Sequence, residues 1–465
     1  MNANIMKTNR ILDTDSYKLS HPKMFPPEVR GMFSYLEARS RGDTIVPFGL
    51  QMWIKKNLLT PFKKMEIDEA EVFAAAHGEP FERAKWDYIL EKYQGYLPLT
   101  IRAVPEGTRV PSGNALVTIE CTDPEVFWLS SYIETSIQRG FWYPTSIASN
   151  DYKSWRVIKR FMAESAETND LVPFMLHDFG GRGGSSEETV QIGGAAHLVY
   201  FQGSDSISGV RAANFYYGTR NGMAAFSVPA TEHSVQCSYG PMRQHEYLAR
   251  IIELAKPGSI VSIVIDGYDT LREAKYLCTE LRDAVLKSEA RIVFRPDSGD
   301  PVEIVPAILR LQEAAFGAMI NSKGYKVINN VGVIQGDGVD LESMTKILEK
   351  VTELGYSAQN IVFGSGGALL QKVNRDTYKF AQKASAILVG GTWIPIYKNP
   401  ITDPGKKSKA GRLTLIRSRL TGEFSTVDVD RGFNDEFVDV METVYQNGNL
   451  IKSYTLDEIR TRAMS

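Results

Sequence analysis

The feature that most constrains the fold is a repeated strand and helix pattern between about residues 170 and 390. Short apolar, β-branched runs are each followed by Gly, Asp or Ser and then by a stretch with helical periodicity. Strands that alternate with helices pair in parallel, because each helix returns the chain to the same end of the sheet. Seven runs have the character of strands: 173–178, 197–201, 224–228, 259–266, 291–297, 331–337 and 360–366.

The number of strands bears on the shape of this sheet. Near-continuous apolar strands are buried on both faces, as in closed barrels and in doubly wound sheets, and periodicity does not separate the two. Seven or eight strands favour the barrel. We therefore predict an α/β fold with an irregular seven- or eight-stranded α/β barrel, similar to a TIM barrel, over residues 169–384.

The two ends of the chain differ from this central pattern. Residues 1–168 and 385–465 mix helical and strand-like segments with proline-rich joints such as 96–113 and 398–412. A chain of 465 residues with 43% hydrophobic content can bury more than one core. We expect the two ends to form one flanking α+β domain.

Charge and cysteine content exclude several classes of protein. The 53 Lys and Arg against 55 Asp and Glu indicate no general affinity for nucleic acid or a membrane surface. Cys121, Cys237 and Cys278 lie far apart without CxxC spacing, which argues against a disulfide framework or a zinc site. The first fifteen residues lack the apolar core of a signal peptide, and no run of about 18 apolar residues occurs. We expect a cytoplasmic protein.

Polar residues gather at the carboxyl ends of the predicted strands, where barrel enzymes place their active sites. Singly, each has a structural explanation, because Asp and Ser often cap the next helix and Gly often makes a turn. Together they indicate a site. They are His177, Asp178, Arg182, Asp205, Glu232, His233, Asp266, Asp269, Arg295, Asp297, Asp337 and the glycines of 364–367.

A glycine-rich turn at 364–367 separates a buried strand from a helix. Backbone N–H groups at such a helix start bind phosphate, although the turn is neither a Walker loop nor a dinucleotide fingerprint. Gly336 and Asp337 end the preceding strand and suit a sugar beside the phosphate. Arg295 and Asp297 suit ribose hydroxyls or Mg²⁺, and a buried ion-pair network fits them as well.

Basic residues follow the last predicted strand. Arg375, Lys383, Lys398 and Lys406 are candidates for binding a pyrophosphate. For Lys407 and Lys409 a solvated basic loop is the preferred interpretation.

Six segments along the chain are distinctive: DTDSYK at 13–18, HDFGGRG at 177–183, SVPATEHS at 227–234, RPDSGDP at 295–301, VIQGDGVD at 333–340 and FGSGGALLQK at 363–372. In this order they resemble segments of the nicotinamide phosphoribosyltransferase family of type II phosphoribosyltransferases. The resemblance spans about residues 10 to 460. It implies that nicotinamide and phosphoribosyl pyrophosphate form nicotinamide mononucleotide and pyrophosphate in NAD salvage, with Mg²⁺ and ATP, in a head-to-tail homodimer with shared active sites.

The resemblance also implies roles for the matched residues. Phe179 and Tyr17 of the partner subunit would sandwich the pyridine ring, which suits stacking between aromatic faces. Asp205 would accept the carboxamide N–H, and Arg295 and Ser262 would hold the amide oxygen. Gly366, Gly367 and Arg375 would bind the 5′-phosphate, Asp297 and Gly336 the ribose, and Arg39, Arg375, Lys383 and Lys398 the pyrophosphate. Arg182 and Asp337 would be further substrate contacts.

The implied chemistry needs little proton transfer, because the pyridine nitrogen carries no proton to remove. Arg295 and Asp297 would be catalytic, and Asp266 would contact Mg²⁺ directly or through water. His233 resembles the family histidine that ATP phosphorylates, a role that suits an imidazole whose tautomer a neighbour fixes.

Three other functions stay open at this point. Nicotinate phosphoribosyltransferases share the architecture, and Asp205 is the residue that would discriminate against the anionic nicotinate. A catalytically silent ligand-binding protein of the same fold is the second. An unrelated barrel enzyme such as an aldolase is the third, but it would need a lysine at a strand end, and the predicted strand ends have none.

Overall fold

The computed structural model describes residues 8–403 and 406–465. The expectation that the first fifteen residues contain no signal peptide falls partly on residues 1–7, which lie outside the described residues. The chain divides into two compact units, the first comprising residues up to Ser149 together with Val373–Ser465 and the second Asn150–Lys372.

The described residues form twenty β-strands, numbered here in chain order: β1 Val29–Ala38, β2 Thr44–Ile45, β3 Leu99–Ala103, β4 Val110–Pro111, β5 Ala115–Cys121, β6 Leu176–Asp178, β7 Gly203–Ser204, β8 Ile260–Val264, β9 Arg291–Arg295, β10 Ala318–Ile320, β11 Lys326–Ile328, β12 Val331–Gln335, β13 Ile361–Ser365, β14 Phe380–Val389, β15 Thr392–Pro395, β16 Leu413–Ser418, β17 Phe424–Asp428, β18 Phe437–Asp439, β19 Glu442–Gln446 and β20 Asn449–Leu450.

Fifteen α-helices lie in the same part of the chain: α1 Leu50–Asn57, α2 Lys64–His77, α3 Arg83–Tyr93, α4 Leu129–Tyr132, α5 Glu134–Ser165, α6 Glu187–His197, α7 Ile207–Tyr216, α8 His233–Ser238, α9 Gln244–Leu254, α10 Thr270–Cys278, α11 Arg282–Lys287, α12 Pro301–Phe316, α13 Leu341–Glu353, α14 Gly367–Gln371 and α15 Leu456–Met464. None of these helices combines the length and the apolar character needed to cross a bilayer.

The second unit contains a six-stranded parallel sheet in the order β7-β6-β13-β12-β9-β8. Five of the predicted strands overlap β6, β8, β9, β12 and β13, and the predicted parallel pairing is confirmed. Because all six strands run the same way, their carboxyl ends meet at one edge of the sheet.

Two of the seven predicted strands are wrong. The run at 197–201 is the buried end of α6 and the turn after it, and a short apolar run does not distinguish a buried helix end from a strand. The strand comes two residues later, as β7. The run at 224–228 makes only an isolated parallel bridge from Phe226 to Gly203, and Ala230 makes another to Ser262. The sheet is therefore a parallel half-barrel with six strands rather than seven or eight.

The first unit combines both ends of the chain, as predicted. Its main sheet has seven strands in the order β15-β14-β1-β5-β3-β19-β20, and every pairing is antiparallel. Strand β14 lies in this sheet beside β1, although residues 380–384 fall within the predicted barrel domain. The domain boundaries at 168/169 and 384/385 stay a prediction, and the compact units divide at 149/150 and 372/373.

Some polar residues that follow the strands serve as helix caps. The Asp269 side chain accepts a hydrogen bond from the Arg272 N–H and begins α10, and Asp300 does the same for Val302 in α12. These caps satisfy N–H groups that the first helical turn leaves without partners. The structural interpretation therefore holds for Asp269.

Candidate functional site

A cavity of about 660 Å³ opens at the carboxyl ends of the half-barrel strands. Its walls come from the residues that follow β6, β7 and β9 and from the segment before α8. Four predicted substrate residues line it together: Phe179, Arg182, Asp205 and Arg295.

The Phe179 ring forms a flat apolar wall of this cavity. Its backbone N–H donates to the Ser365 carbonyl at 2.9 Å, which ties the residue to the end of β13. A Cβ on Gly364 would lie 2.1 Å from the Phe179 ring, so the glycine is what lets the ring lie against the strand. The Arg295 guanidinium lies 5.0 Å from the ring centroid. An aromatic face beside a planar cation suits a flat ring with a polar substituent.

Asp205 directly follows β7, and its carboxylate is oriented by a neighbour. Oδ1 accepts a hydrogen bond of 2.6 Å from the Ser227 hydroxyl, and the Asp205 N–H donates to the Asp178 carbonyl at 2.9 Å. Sequence reasoning missed Ser227, although it begins the segment SVPATEHS. Ser262, on β8, is buried, and its hydroxyl has no hydrogen-bond partner in the described residues. A buried hydroxyl without a partner is available to a ligand.

Arg295 and Asp297 form an ion pair of 3.1 Å, with side chains 14% and 16% exposed. Arg295 Nε is buried without a partner among the described residues. A Cβ on Gly336 would lie 2.7 Å from an Asp297 oxygen, so the chain approaches the pair closely at this glycine. Burial raises the pKa of Asp297, the carboxylate of Asp266 adds to this, and Arg295 opposes it. The structure thus brings Arg295, Asp297, Gly336 and Asp266 together.

His233 begins α8 and faces Asp266 across 2.8 Å, from Nε2 to Oδ1. The Asp266 side chain is 5% exposed, and that of His233 is 47% exposed. Because a carboxylate only accepts hydrogen bonds, Nε2 carries a proton, and in the neutral imidazole the lone pair is then on Nδ1. Gln236, which sequence reasoning missed, is buried and accepts a 3.0 Å hydrogen bond from the Gly267 N–H, so α8 is tied to the loop that carries Asp266.

The glycine turn lies between β13 and α14. Added Cβ atoms on Gly366 and Gly367 would meet open space and an ordinary 3.9 Å contact, respectively. A Cβ on Gly183 would lie 2.7 Å from the Gly367 Cα, so the loop after β6 packs against the turn. The two glycines therefore leave room for an anion at their backbone. Arg182, nearby in sequence, is highly exposed and lies 4.0 Å from Glu232.

The predicted pyrophosphate cations belong to the first unit. Burial lowers the pKa of Lys383, and the positive charges of Arg39, Lys398 and Arg375 lower it further, so the four cations lie near one another. Tyr17 also belongs to this unit and is 54% exposed.

A carboxylate that sequence reasoning missed pairs with two basic side chains of this unit. Glu37, 3% exposed, accepts a 2.6 Å hydrogen bond from Arg39 Nε and pairs with Lys409. The solvated-loop interpretation of Lys409 is therefore wrong. No sequence pattern pointed to Glu37, which lies inside an apolar strand.

The described residues contain no group of three or more His, Cys, Asp or Glu side chains that could hold a metal ion. Mg²⁺, however, is usually bound through one or two carboxylates together with substrate phosphates. Asp266 lies close enough to Asp297 for its carboxylate to raise the pKa of Asp297, and the two side chains supply oxygen ligands of that kind. The donor set fits a magnesium ion delivered with a phosphorylated substrate.

Two protein-family models match the chain. The model of the nicotinate phosphoribosyltransferase family matches residues 174–449, and that of the nicotinamide phosphoribosyltransferase N-terminal domain matches 9–101. A nicotinamide phosphoribosyltransferase from Xanthomonas campestris pv. campestris is 45% identical, covering 98% of this chain and 98% of its own length. One from Acinetobacter baylyi is 32% identical, covering 98% and 97%.

Solved structures show the same fold at low sequence identity. A nicotinate-nucleotide pyrophosphorylase from Pyrococcus furiosus aligns with a TM-score of 0.65 at 16% identity, over 100% of this chain and 97% of its own. Human nicotinic acid phosphoribosyltransferase aligns with a TM-score of 0.57 at 15% identity, over 97% and 92%. At these identities the two structures establish the architecture only.

Proposed function

The chain belongs to the nicotinamide phosphoribosyltransferases within the nicotinate phosphoribosyltransferase family, and on that premise we propose how its residues carry out the reaction. The enzyme joins nicotinamide to phosphoribosyl pyrophosphate and releases nicotinamide mononucleotide and pyrophosphate, in NAD salvage. The observation that supports the site is the convergence of Phe179, Asp205 and Arg295 on one cavity. Family membership removes the aldolase-like alternative.

Nicotinamide binds in the cavity with its pyridine ring against Phe179. Arg295 and the unpartnered Ser262 hydroxyl donate to the amide oxygen, and Asp205 accepts from the amide N–H. Ser227 holds one Asp205 oxygen and so leaves the other for the substrate. A carboxylate in this position attracts an amide donor and repels the carboxylate of nicotinate.

The ribose and phosphate parts of the second substrate bind beside this cavity. Gly366 and Gly367 offer backbone N–H groups to the 5′-phosphate, and Asp297, Gly336 and Asp337 face the ribose. The ring nitrogen attacks the anomeric carbon as pyrophosphate leaves. Its lone pair is free already, so orientation and electrostatics replace a general base.

Positive charge develops on the ribose during this step, and negative charge leaves with the pyrophosphate. Asp297 stabilises the positive charge on the ribose. The negative charge of the pyrophosphate is neutralised by the cations Arg39, Arg375, Lys383 and Lys398. Asp266 and Asp297 would hold Mg²⁺, which would supply further charge neutralisation at the phosphates.

We assign the phosphoryl acceptor to Nδ1 of His233, because Nε2 donates to Asp266. ATP transfers its γ-phosphoryl group to this nitrogen; an N–P bond forms, the bond to ADP breaks, and water later hydrolyses the phosphohistidine. The Asp266 carboxylate stabilises the positive charge that the imidazole gains.

The phosphohistidine is tested by incubating the protein with ATP labelled in its γ-phosphate. We expect an acid-labile label on His233 that His233→Ala abolishes and that Asp266→Asn reduces about tenfold, because the Asn oxygen still accepts from Nε2 but lacks the negative charge that stabilises the phosphorylated imidazole. Equal labelling of wild type and His233→Ala would refute the assignment.

Because resemblance to the family implies a homodimer with shared active sites, we propose that two subunits pair and that Tyr17 of each enters the active site of the other. The exposure of Tyr17 is compatible with this role. Sedimentation should give a dimer; a fully active monomer would contradict the shared site.

We also propose a cytoplasmic location, where phosphoribosyl pyrophosphate and ATP are available.

Selectivity for nicotinamide should depend on the charge of Asp205. Asp205→Asn keeps the size of the side chain and removes the repulsion of nicotinate. The ratio of kcat/KM for nicotinamide to that for nicotinate should fall by on the order of 100-fold, since a hydrogen bond to a charged group contributes up to about 3 kcal/mol. Separate initial-rate assays with each base measure this ratio, and Lys346→Ala, which removes an exposed side chain of α13 outside the lining of the cavity, serves as a control.

The proposed reaction itself is tested with the wild-type enzyme, phosphoribosyl pyrophosphate, Mg²⁺ and nicotinamide. Mononucleotide and pyrophosphate should appear in equal amounts. A protein that binds nicotinamide without turnover would instead be the catalytically silent alternative.

A further inference from the structure

The strand that presents Asp205 is unusually short. Strand β7 has two residues and lies at the edge of the parallel sheet, paired with β6 on one side and bridged to Phe226 on the other. A Cβ on Gly203 would lie 2.6 Å from the His177 ring, so the backbone is pressed against that side chain. Since Asp205 follows β7 at once, the position of Gly203 sets the position of the carboxylate.

A fully buried histidine contacts this strand. His197 is the last residue of α6, and its Nε2 lies 3.3 Å from the Gly203 carbonyl oxygen. Its Nδ1 lies 2.8 Å from Asp151 Oδ2 on α5, and Asp151 is 1% exposed. The Phe201 ring stacks on the imidazole at a centroid distance of 5.3 Å. The imidazole is therefore fixed on both nitrogens and on one face.

The hydrogen-bond partners determine where the protons lie. A carbonyl oxygen only accepts, so Nε2 carries a proton that it donates to Gly203. A second proton lies between Nδ1 and the Asp151 carboxyl group. Burial raises the pKa of Asp151; burial also lowers the pKa of His197, but the facing carboxylate outweighs this and the net shift is upward. The pair thus carries its own counter-charge and keeps the Nε2 donor in place.

We propose that His197 is a positioning residue for nicotinamide selection: its hydrogen bond to the Gly203 carbonyl holds β7 so that Asp205 meets the substrate amide. Asp151 acts behind it by fixing the tautomer and the ring orientation. Neither residue lines the substrate cavity, so both act through Asp205. This inference rests on the proposed role of Asp205.

Two substitutions at position 197 separate positioning from simple core stability. The amide nitrogen of Gln occupies roughly the place of Nε2, so His197→Gln keeps a donor for Gly203. The amide nitrogen of Asn occupies roughly the place of Nδ1, so His197→Asn keeps the contact with Asp151 and loses the one with Gly203. Both variants lose the aromatic ring, so a purely structural role predicts similar effects.

The experiment measures KM for nicotinamide, KM for phosphoribosyl pyrophosphate, kcat and thermal midpoint for both variants and the wild type. His197→Asn should raise KM for nicotinamide about tenfold, the effect of one lost hydrogen bond to a charged donor, and leave the other KM within about twofold. His197→Gln should keep KM for nicotinamide within about threefold of the wild-type value. Equal shifts in the two variants, or a shift that falls on both substrates, would overturn the proposal.

Asp151→Ala covers the case in which His197→Asn does not fold. It leaves the imidazole in place and frees Nδ1, so KM for nicotinamide should rise by a smaller factor; an unchanged KM in folded Asp151→Ala would overturn the proposal. Wild-type turnover is measured in the same series. Absence of mononucleotide from the wild type would contradict the proposed function, whereas an active wild type with unresponsive variants contradicts only the role of His197.

Discussion

Arg295→Ala should lower kcat/KM for nicotinamide by roughly 30- to 5000-fold, because truncating one partner of a buried charge pair costs about 2–5 kcal/mol. The substitution removes the donor to the amide oxygen and the cation beside Phe179. It also removes the guanidinium that opposes the effect of Asp266 on the pKa of Asp297, so the two carboxylates repel each other more strongly. Initial rates at varied nicotinamide give the value.

Arg295→Lys is the matched control, since it keeps the charge and loses the planar fork. Its thermal midpoint should stay close to that of the wild type while kcat/KM takes an intermediate value. If Arg295→Ala retained kcat/KM within threefold, Arg295 would have no part in binding the amide.

Gly364→Ala should be the second damaging substitution. The new methyl group would lie 2.1 Å from the Phe179 ring and force it into the cavity. Overpacking of this kind costs about 1–3 kcal/mol, which corresponds to roughly a 5- to 150-fold rise in KM for nicotinamide if the ring loses its stacking position. KM for nicotinamide and the thermal midpoint are the measurements.

Gly332→Ala provides a comparison on the neighbouring strand β12, where the added Cβ would lie 3.1 Å from the guanidinium end of Arg291 and at an ordinary 3.6 Å from the Asn360 carbonyl oxygen. It should change KM by less than about twofold. The double variant Gly364→Ala/Phe179→Leu should recover stability without recovering nicotinamide binding, because the clash and the stacking involve the same ring. Recovery of both would show that Phe179 does not stack on the substrate.

The sequence carried much of the fold because strand and helix periodicities are local. The helical stretches and five buried strands are visible in their own residues, and parallel pairing follows from their alternation. The run at 197–201 misled because its five residues, all fully buried at a helix end and the turn after it, have the composition of a strand. Strand β7, Gly203–Ser204, forms because it pairs with β6, and its two residues alone do not predict a strand.

The site was predictable where residue type and strand position coincide, as for Asp205, Arg295 and Asp297. Their supporting side chains were not, because Ser227, His197 and Glu37 act through hydrogen bonds to residues distant in sequence or hidden in apolar segments. Burial and partner geometry decide those roles. Neither is visible in a single sequence.

The central claim is that the Asp205 carboxylate selects an amide over an acid, while Arg295 holds the amide oxygen. A competition assay tests it most directly: equal concentrations of nicotinamide and nicotinate are supplied with limiting phosphoribosyl pyrophosphate and Mg²⁺, and both mononucleotides are quantified from the same mixture. We predict nicotinamide mononucleotide in at least about 100-fold excess. Equal amounts, or an excess of nicotinate mononucleotide, would contradict the role assigned to Asp205.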